Sequence, residues 1–172
     1  MVRIWLVAVA ILSLSVSALA QEKVDLQTLT SKEGRFSVLM PANPKEMKQE
    51  IPTAVGTIKV TMYLSDLGNQ AYVVSFNDYP ADLVKMTEPA KMLESARGGV
   101  VGKGKLVSEK KITLDKSPGL DFEYELPDGK GIGRARMYLV NERLYQMLFI
   151  NGTEKTVPKE VEKVLESFKL TK

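Results

Sequence analysis

Leu120-Asp121-Phe122-Glu123-Tyr124-Glu125-Leu126-Pro127-Asp128-Gly129-Lys130-Gly131-Ile132-Gly133-Arg134-Ala135-Arg136-Met137 is the stretch that decides the fold of this chain. Pro127-Asp128-Gly129-Lys130 is a turn signal, since proline presets its own φ while aspartate and glycine accept the tight positions that follow. The runs on either side alternate polar and apolar residues with a period of two, the mark of half-buried strands. Setting Leu126 opposite Gly131 puts Glu125, Glu123 and Asp121 opposite Ile132, Arg134 and Arg136. On the other face Leu120 and Phe122 meet Met137 and Ala135, and Tyr124 covers Gly133. One register satisfies both faces, whereas a slip of one residue spoils both.

Working outward, strands are predicted at Lys105 to Leu114, Leu120 to Leu126, Ile132 to Val140 and Leu144 to Ile150. A helix follows, with Val161, Val164, Leu165 and Phe168 at the i, i+3, i+4, i+7 spacing of one helical face. The earlier half has the same order. Phe36 to Met40 reads as a strand that stops at Pro41, and Met47 to Ile51, bracketed by Pro44 and Pro52, as a polar edge strand. Ile58, Val60, Met62 and Leu64 alternate with Thr57, Lys59, Thr61 and Tyr63, the clearest alternation in the chain. Tyr72 to Phe76 makes a fourth strand, and a helix capped by Thr87 carries Leu93, Ala96 and Val100. Residues 21–33 read as a polar lead-in with a turn of helix, and residues 34–172 as a single domain.

The two halves also match residue by residue. Gly56 and Met62-Tyr63-Leu64 correspond to Gly131 and Met137-Tyr138-Leu139, Tyr72 and Phe76 to Tyr145 and Phe149, and Leu93-Glu94-Ser95 to Leu165-Glu166-Ser167. The expected fold class is α+β, an antiparallel sheet flanked by two helices and built from two similar ββββα halves that share one sheet, an internal repeat.

The first 20 residues have the parts of a cleavable signal peptide: Arg3, an apolar run from Ile4 to Val16, and Ala18 and Ala20 before Gln21. The apolar run is shorter than the about 20 residues that a bilayer span needs. The expected location is therefore outside the cytoplasm, periplasmic or secreted, with no stable membrane span after cleavage. Loss of residues 1–20 removes one of 24 basic side chains and none of 21 acidic ones, lowering the net charge from +3 to +2. So small an excess gives no reason to expect nucleic acid as a partner. A domain of this size folds without disulfides, because it buries roughly 70% of its unfolded surface, and cysteine is absent.

The chain contains no histidine and no cysteine. Ser-His-Asp and Cys-His catalysis are thereby excluded, as are the usual zinc ligand sets. Gly98-Gly99-Val100-Val101-Gly102-Lys103-Gly104 imitates a phosphate loop but has Arg97 where the first glycine belongs and Gly104 where Ser or Thr is required, and its expected role is to end a helix. Gly129, Gly131 and Gly133 lie in the hairpin and do not form a dinucleotide fingerprint. Lys103, Lys105, Lys110 and Lys111 surround Leu106 and Ile112 as a solvated strand face. Asn151-Gly152-Thr153 is an N-glycosylation acceptor by pattern. Met62, Met137 and Met147 read as packing residues rather than as contacts to an apolar ligand.

What remains as candidate chemistry is the charged cluster Asp121, Glu123, Arg134 and Arg136. Its expected place is an exposed sheet face, where ion pairs contribute about 0–1 kcal/mol and confer solubility. A general acid would need a desolvated, neutral carboxyl, and arginines beside it favour the charged form. A small carboxylate-dependent hydrolase built on Asp121 and Glu123 is the alternative. No enzyme activity, cofactor or metal is expected.

Three passages resemble known proteins: Gly34-Arg35-Phe36-Ser37-Val38-Leu39-Met40-Pro41, Pro118 to Phe149, and Leu165-Glu166-Ser167-Phe168-Lys169-Leu170. Together they are similar to small exported bacterial domains of unknown function in the PsbP-like, Mog-type superfamily. The resemblance implies an antiparallel sheet flanked by helices, acting in binding or assembly. It supplies no site residue. The expected function is thus a non-catalytic extracytoplasmic binding or accessory domain whose partner is another extracytoplasmic protein.

Overall fold

A computed structural model of the chain describes residues 24–53 and 56–172, so residues 1–20, expected to be a signal peptide, lie outside the described residues. Ten strands are β1 (Leu26–Ser31), β2 (Phe36–Pro41), β3 (Lys45–Thr53), β4 (Gly56–Asp66), β5 (Gln70–Asp78), β6 (Lys105–Leu114), β7 (Ser117–Glu125), β8 (Ile132–Val140), β9 (Arg143–Asn151) and β10 (Lys169–Leu170). Three helices are α1 (Ala81–Met86), α2 (Pro89–Val101) and α3 (Lys159–Glu166). The architecture is α+β, but with two antiparallel sheets and three helices. Seven strands run in the order β3-β4-β5-β9-β8-β7-β6, and β1-β2-β10 form a separate small sheet.

The central hairpin has the predicted register throughout: Asp121 pairs with Arg136, Phe122 with Ala135, Glu123 with Arg134 and Tyr124 with Gly133. A side chain at Gly133 would collide with the Tyr124 ring, which is why that position carries none. The Leu126 N–H donates to the Gly131 carbonyl at 3.0 Å and closes the turn.

One face of the large sheet carries an aromatic core. Phe36 of β2 lies edge-on to Tyr63, Phe76 and Tyr145, each at 6.1 Å, and stacks on Phe168 at 5.5 Å. Full burial of one such ring contributes about 2–3 kcal/mol. The small sheet and α3 cover this face through Val38, Met40, Val161, Val164 and Leu165. On the opposite face α2 packs Met92 and Leu93 over Leu120, Phe122, Met137 and Leu139 of β7 and β8.

Several expectations change. The segment 21–33 contains strand β1 in place of a helical turn, because Leu26 and Leu29 find an antiparallel partner in β2 and pack against the aromatic core. Thr87 ends α1, and α2 begins after Glu88 with Pro89 in its first turn. Gly98 and Gly99 lie inside α2, and Gly102, at φ 54°, ends it.

The two halves do not share one sheet as equal ββββα units. β2 leaves for the small sheet, while β3, β4 and β5 join β6 to β9. Within the large sheet the matched aromatics do pair across the β5–β9 seam, Tyr72 with Phe149 and Phe76 with Tyr145, around a central Val74–Met147 pair. The matched helical residues break that quasi-twofold arrangement. Leu93 packs on one face of the sheet and Leu165 on the other.

Strand β4 holds a further departure. Its alternation is as read, but the face turned to the core is Thr61, Tyr63 and Ser65, all buried. The aliphatic face of Ile58, Val60, Met62 and Leu64 is only half-buried and belongs to neither core cluster.

Candidate functional site

The charged cluster is assembled, but it is not on an exposed face. Asp121 is 1% and Arg136 8% exposed. The helix α3 lies across them and brings in Glu162, whose carboxylate accepts from Arg136 at 2.8 Å and from Arg134 at 3.5 Å. Asp121 accepts two hydrogen bonds from Arg136, at 3.0 and 2.7 Å, and a further one from Arg134. Lys110 stands 3.6 Å from Asp121, and Glu123 3.6 Å from Arg134. Three acids therefore face three bases. The burial is tolerable because each charge is matched, and removal of the buried Asp121 would strand the arginines away from water.

The electrostatics follow the geometry. Burial pulls the Arg134 guanidinium below its usual range against the attraction of Glu162. Burial pushes the Glu162 carboxyl up, but Arg136 and Arg134 outweigh it and hold the group below the ordinary carboxylate value. A proton donor needs a neutral acid kept so by its surroundings, and Asp121 has the opposite setting between two guanidiniums. The cluster ties helix to sheet.

Sequence reading missed Glu162, because the spacing of α3 identifies its apolar stripe and says nothing about what the flanking acid meets. It also missed a second ion pair. Arg143 donates from Nε and Nη2 to the Asp78 carboxylate, both at 2.6 Å, and from Nη1 to the Glu33 carbonyl at 2.8 Å, with its guanidinium 4.9 Å from the centre of the Phe76 ring. The Arg143 hydrogen bond holds the Asp78 carboxyl low against its burial. Asp78 and Arg143 are cross-strand partners at the end of the β5–β9 seam, so the aromatic matches, extended by one more pair, contain the signal for them.

This pair forms a wall of a cleft of about 440 Å3 between the β1–β2 turn, the end of β5 and the β8–β9 turn. Arg35 and Glu142 stand at the cleft as exposed side chains and make no ion pair among the described residues. The Tyr145 hydroxyl donates to the Gly34 carbonyl at 2.8 Å and fixes the β1–β2 turn there.

Other motifs resolve structurally. Asn151 is buried; its amide donates to the Thr156 carbonyl and its oxygen accepts from Thr153 and Glu154, so it serves as a turn bracket and leaves no room for a glycan. Met137 and Met147 are buried in the two separate cores on opposite faces of the sheet, which leaves no common apolar cavity with Met62. No group of three or more Asp or Glu side chains among the described residues is arranged to hold a metal ion. No helix among them is long and apolar enough to cross a membrane.

No protein-family model and no curated protein sequence matches the chain. Among solved structures, the solution structure of cyanobacterial PsbP (CyanoP) from Synechocystis sp. PCC 6803 superposes with a TM-score of 0.52, covering 88% of this chain and 95% of that one at 15% identity. The fold is PsbP-like. At that identity the PsbP-like likeness concerns architecture and brings no activity with it. A protein of unknown function from Pseudomonas aeruginosa aligns more loosely, with a TM-score of 0.35 and 7% identity over 73% of this chain and 82% of that one.

Proposed function

We propose that this chain is a non-catalytic accessory domain that binds another protein outside the cytoplasm, at the cleft where the loops of its two halves meet. The supporting observation is a contrast in how charge is used. The acids of the interior cluster are matched to arginine and lysine and close α3 onto the sheet. At the cleft, Arg35 and Glu142 are exposed and form no close ion pair among the described residues, Arg35 adding only a weaker pull on the Asp78 carboxylate than its Arg143 hydrogen bond. A cation and an anion on one rim suit a polar protein surface. The signal-peptide pattern of residues 1–20 and the PsbP-like fold are consistent with an extracytoplasmic accessory role.

The test is capture from the extracytoplasmic fraction by chemical cross-linking, comparing the wild-type chain with an Arg35→Glu, Glu142→Lys double variant. The proposal expects a reproducible partner that the double variant loses while its thermal midpoint stays the same. A chain that emerges alone, or a partner held equally by both proteins, removes the cleft from the account.

A further inference from the structure

The last strand of the large sheet, β6, pairs with β7 on one side and, among the described residues, with no strand on the other. Most of its side chains are exposed. An edge of this kind displays a row of backbone N–H and C=O groups that an extended chain can pair with. Its register with β7 is unbroken from Ser108 to Leu114, so the irregularity beside Val107 leaves that stretch as a regular edge.

The two sides of β6 differ. Glu109 accepts from Arg97 of α2 at 2.6 Å, which places Glu109, Lys111 and Thr113 on the helix side. Lys110, 3.6 Å from Asp121, lies on the other. On the helix side α2 packs over β7 and β8 and leaves β6 exposed. A groove of about 220 Å3 results, lined by Ala90, Leu93, Pro118 and Leu120, with Glu94 and Lys111 also at its wall. These two charges offset each other and make no ion pair among the described residues, so what enters between them is apolar.

We propose that β6 is the docking edge for an extended acidic polypeptide segment of another protein, which adds a strand to the sheet and sets one large apolar side chain into the groove beside α2. Three observations select that partner. Ligand pockets span about 300–1,000 Å3, so this groove is too small for a whole small molecule and suits a single side chain. The edge is basic: Lys105 and Lys111 have no ion pair among the described residues, whereas Glu109 is matched by Arg97. Carboxylates on an incoming strand complement those lysines. Two β6 edges, by contrast, carry the same net charge and repel, which disfavours a second copy of this chain. Main-chain hydrogen bonds then supply affinity, and the groove reads the side chain. The groove shares no residue with the cleft lined by Arg35 and Glu142.

Fluorescence anisotropy with a labelled synthetic peptide that alternates glutamate and leucine tests this, since alternation puts all the leucines on one side of an added strand. The expected result is saturable binding that weakens about ten-fold or more when the peptide amides are N-methylated, which removes strand pairing and keeps the charge. The same loss is expected when Lys105→Glu with Lys111→Glu reverses the charge of the edge, and when Ala90→Trp fills the groove, with the thermal midpoint unchanged. Both lysines are exposed, so the first variant serves if the second impairs folding. Arg35→Glu with Glu142→Lys is expected to bind the peptide as the wild type does, so failure at the cleft and failure at this edge are separate results. No saturable binding, binding that N-methylation leaves unchanged, or displacement of the peptide by phosphatidylglycerol vesicles overturns the proposal.

Discussion

At the scale of single residues, hydroxyl groups in the aromatic core divide into those that have a partner and those that do not. Tyr63 hydrogen-bonds to the Ser31 hydroxyl at 2.9 Å, and Ser31 in turn accepts from the Gly34 N–H. Tyr72 is 1% exposed and its hydroxyl has no hydrogen-bond partner among the described residues. An unpaired buried hydroxyl costs what a paired one does not. Tyr72→Phe should therefore leave stability unchanged or raise it by up to about 1 kcal/mol, whereas Tyr63→Phe should lower it by about 1 kcal/mol, as read by urea denaturation. The Tyr72 phenol is pushed up to about 12 by burial and secondarily by Glu160. Its neutral form supports folding fully below the unfolded value of 10.0, and that support is lost as the pH rises through about 12. Tyr72→Phe should remove this part of the alkaline transition in a thermal-midpoint titration. The sequence marked Tyr72 as a core aromatic by its place in an apolar alternation, but a missing hydrogen-bond partner is a tertiary fact.

At the scale of elements, the central hairpin was legible to the residue because turn chemistry and a period of two fix register locally. What lies over the hairpin was not. Alternation reports which side chains share a face, and it cannot say whether that face meets water. Two expectations failed at this point, in opposite directions. The ladder of Asp121 and Glu123 against Arg134 and Arg136, read as solvated, lies beneath α3. The aliphatic face of β4, apolar enough for a core, is only half-buried and outside both core clusters among the described residues, because Tyr63 on the other side joins the aromatic cluster around Phe36. The helix-to-sheet contact has a measurable pH signature. The Glu162 carboxyl lies below its ordinary 4.5, since Arg136 and Arg134 outweigh its burial. Its ionised form supports folding in full above about pH 4.5, and that support is lost as the pH falls through the lowered native value. Glu162→Gln should flatten the acid limb of the stability–pH curve and, because Glu162 is half exposed, cost no more than about 1 kcal/mol at neutral pH. An acid limb identical in both proteins would mean that α3 is held by its apolar stripe alone.

At the scale of the whole molecule, Phe168 is the joint. It is 4% exposed, stacks on Phe36 of the small sheet, and lies 6.0 and 5.3 Å from Tyr138 and Tyr145 of the large one. The chain then enters β10, which pairs with β2, and the Thr171 N–H donates to the Arg35 carbonyl at 2.9 Å. Phe168→Ala should cost about 3–5 kcal/mol, measured by urea denaturation, and lower the cooperativity of unfolding as the small sheet comes loose. Loss well below that range would place the joint elsewhere. The sequence marks Phe168 as an apolar position and places it on the helix, whereas α3 ends at Glu166 and Phe168 lies just beyond it. Its partners were not visible, since they come from β2, β8 and β9.

The sequence by itself determined the α+β class, the hairpin register, the order of the main strands and the residue types that exclude histidine- and thiol-based chemistry. Those are consequences of short-range patterning and of composition. Only the tertiary structure decided that the strands divide between two sheets, that the charge ladder is sealed by Glu162, and that β4 turns its Tyr63 side, not its aliphatic one, to the core. The physical reason is common to all three. Which face is buried depends on what a distant segment brings to cover it, and that segment is chosen by the packing of the aromatic core, not by the strand it covers.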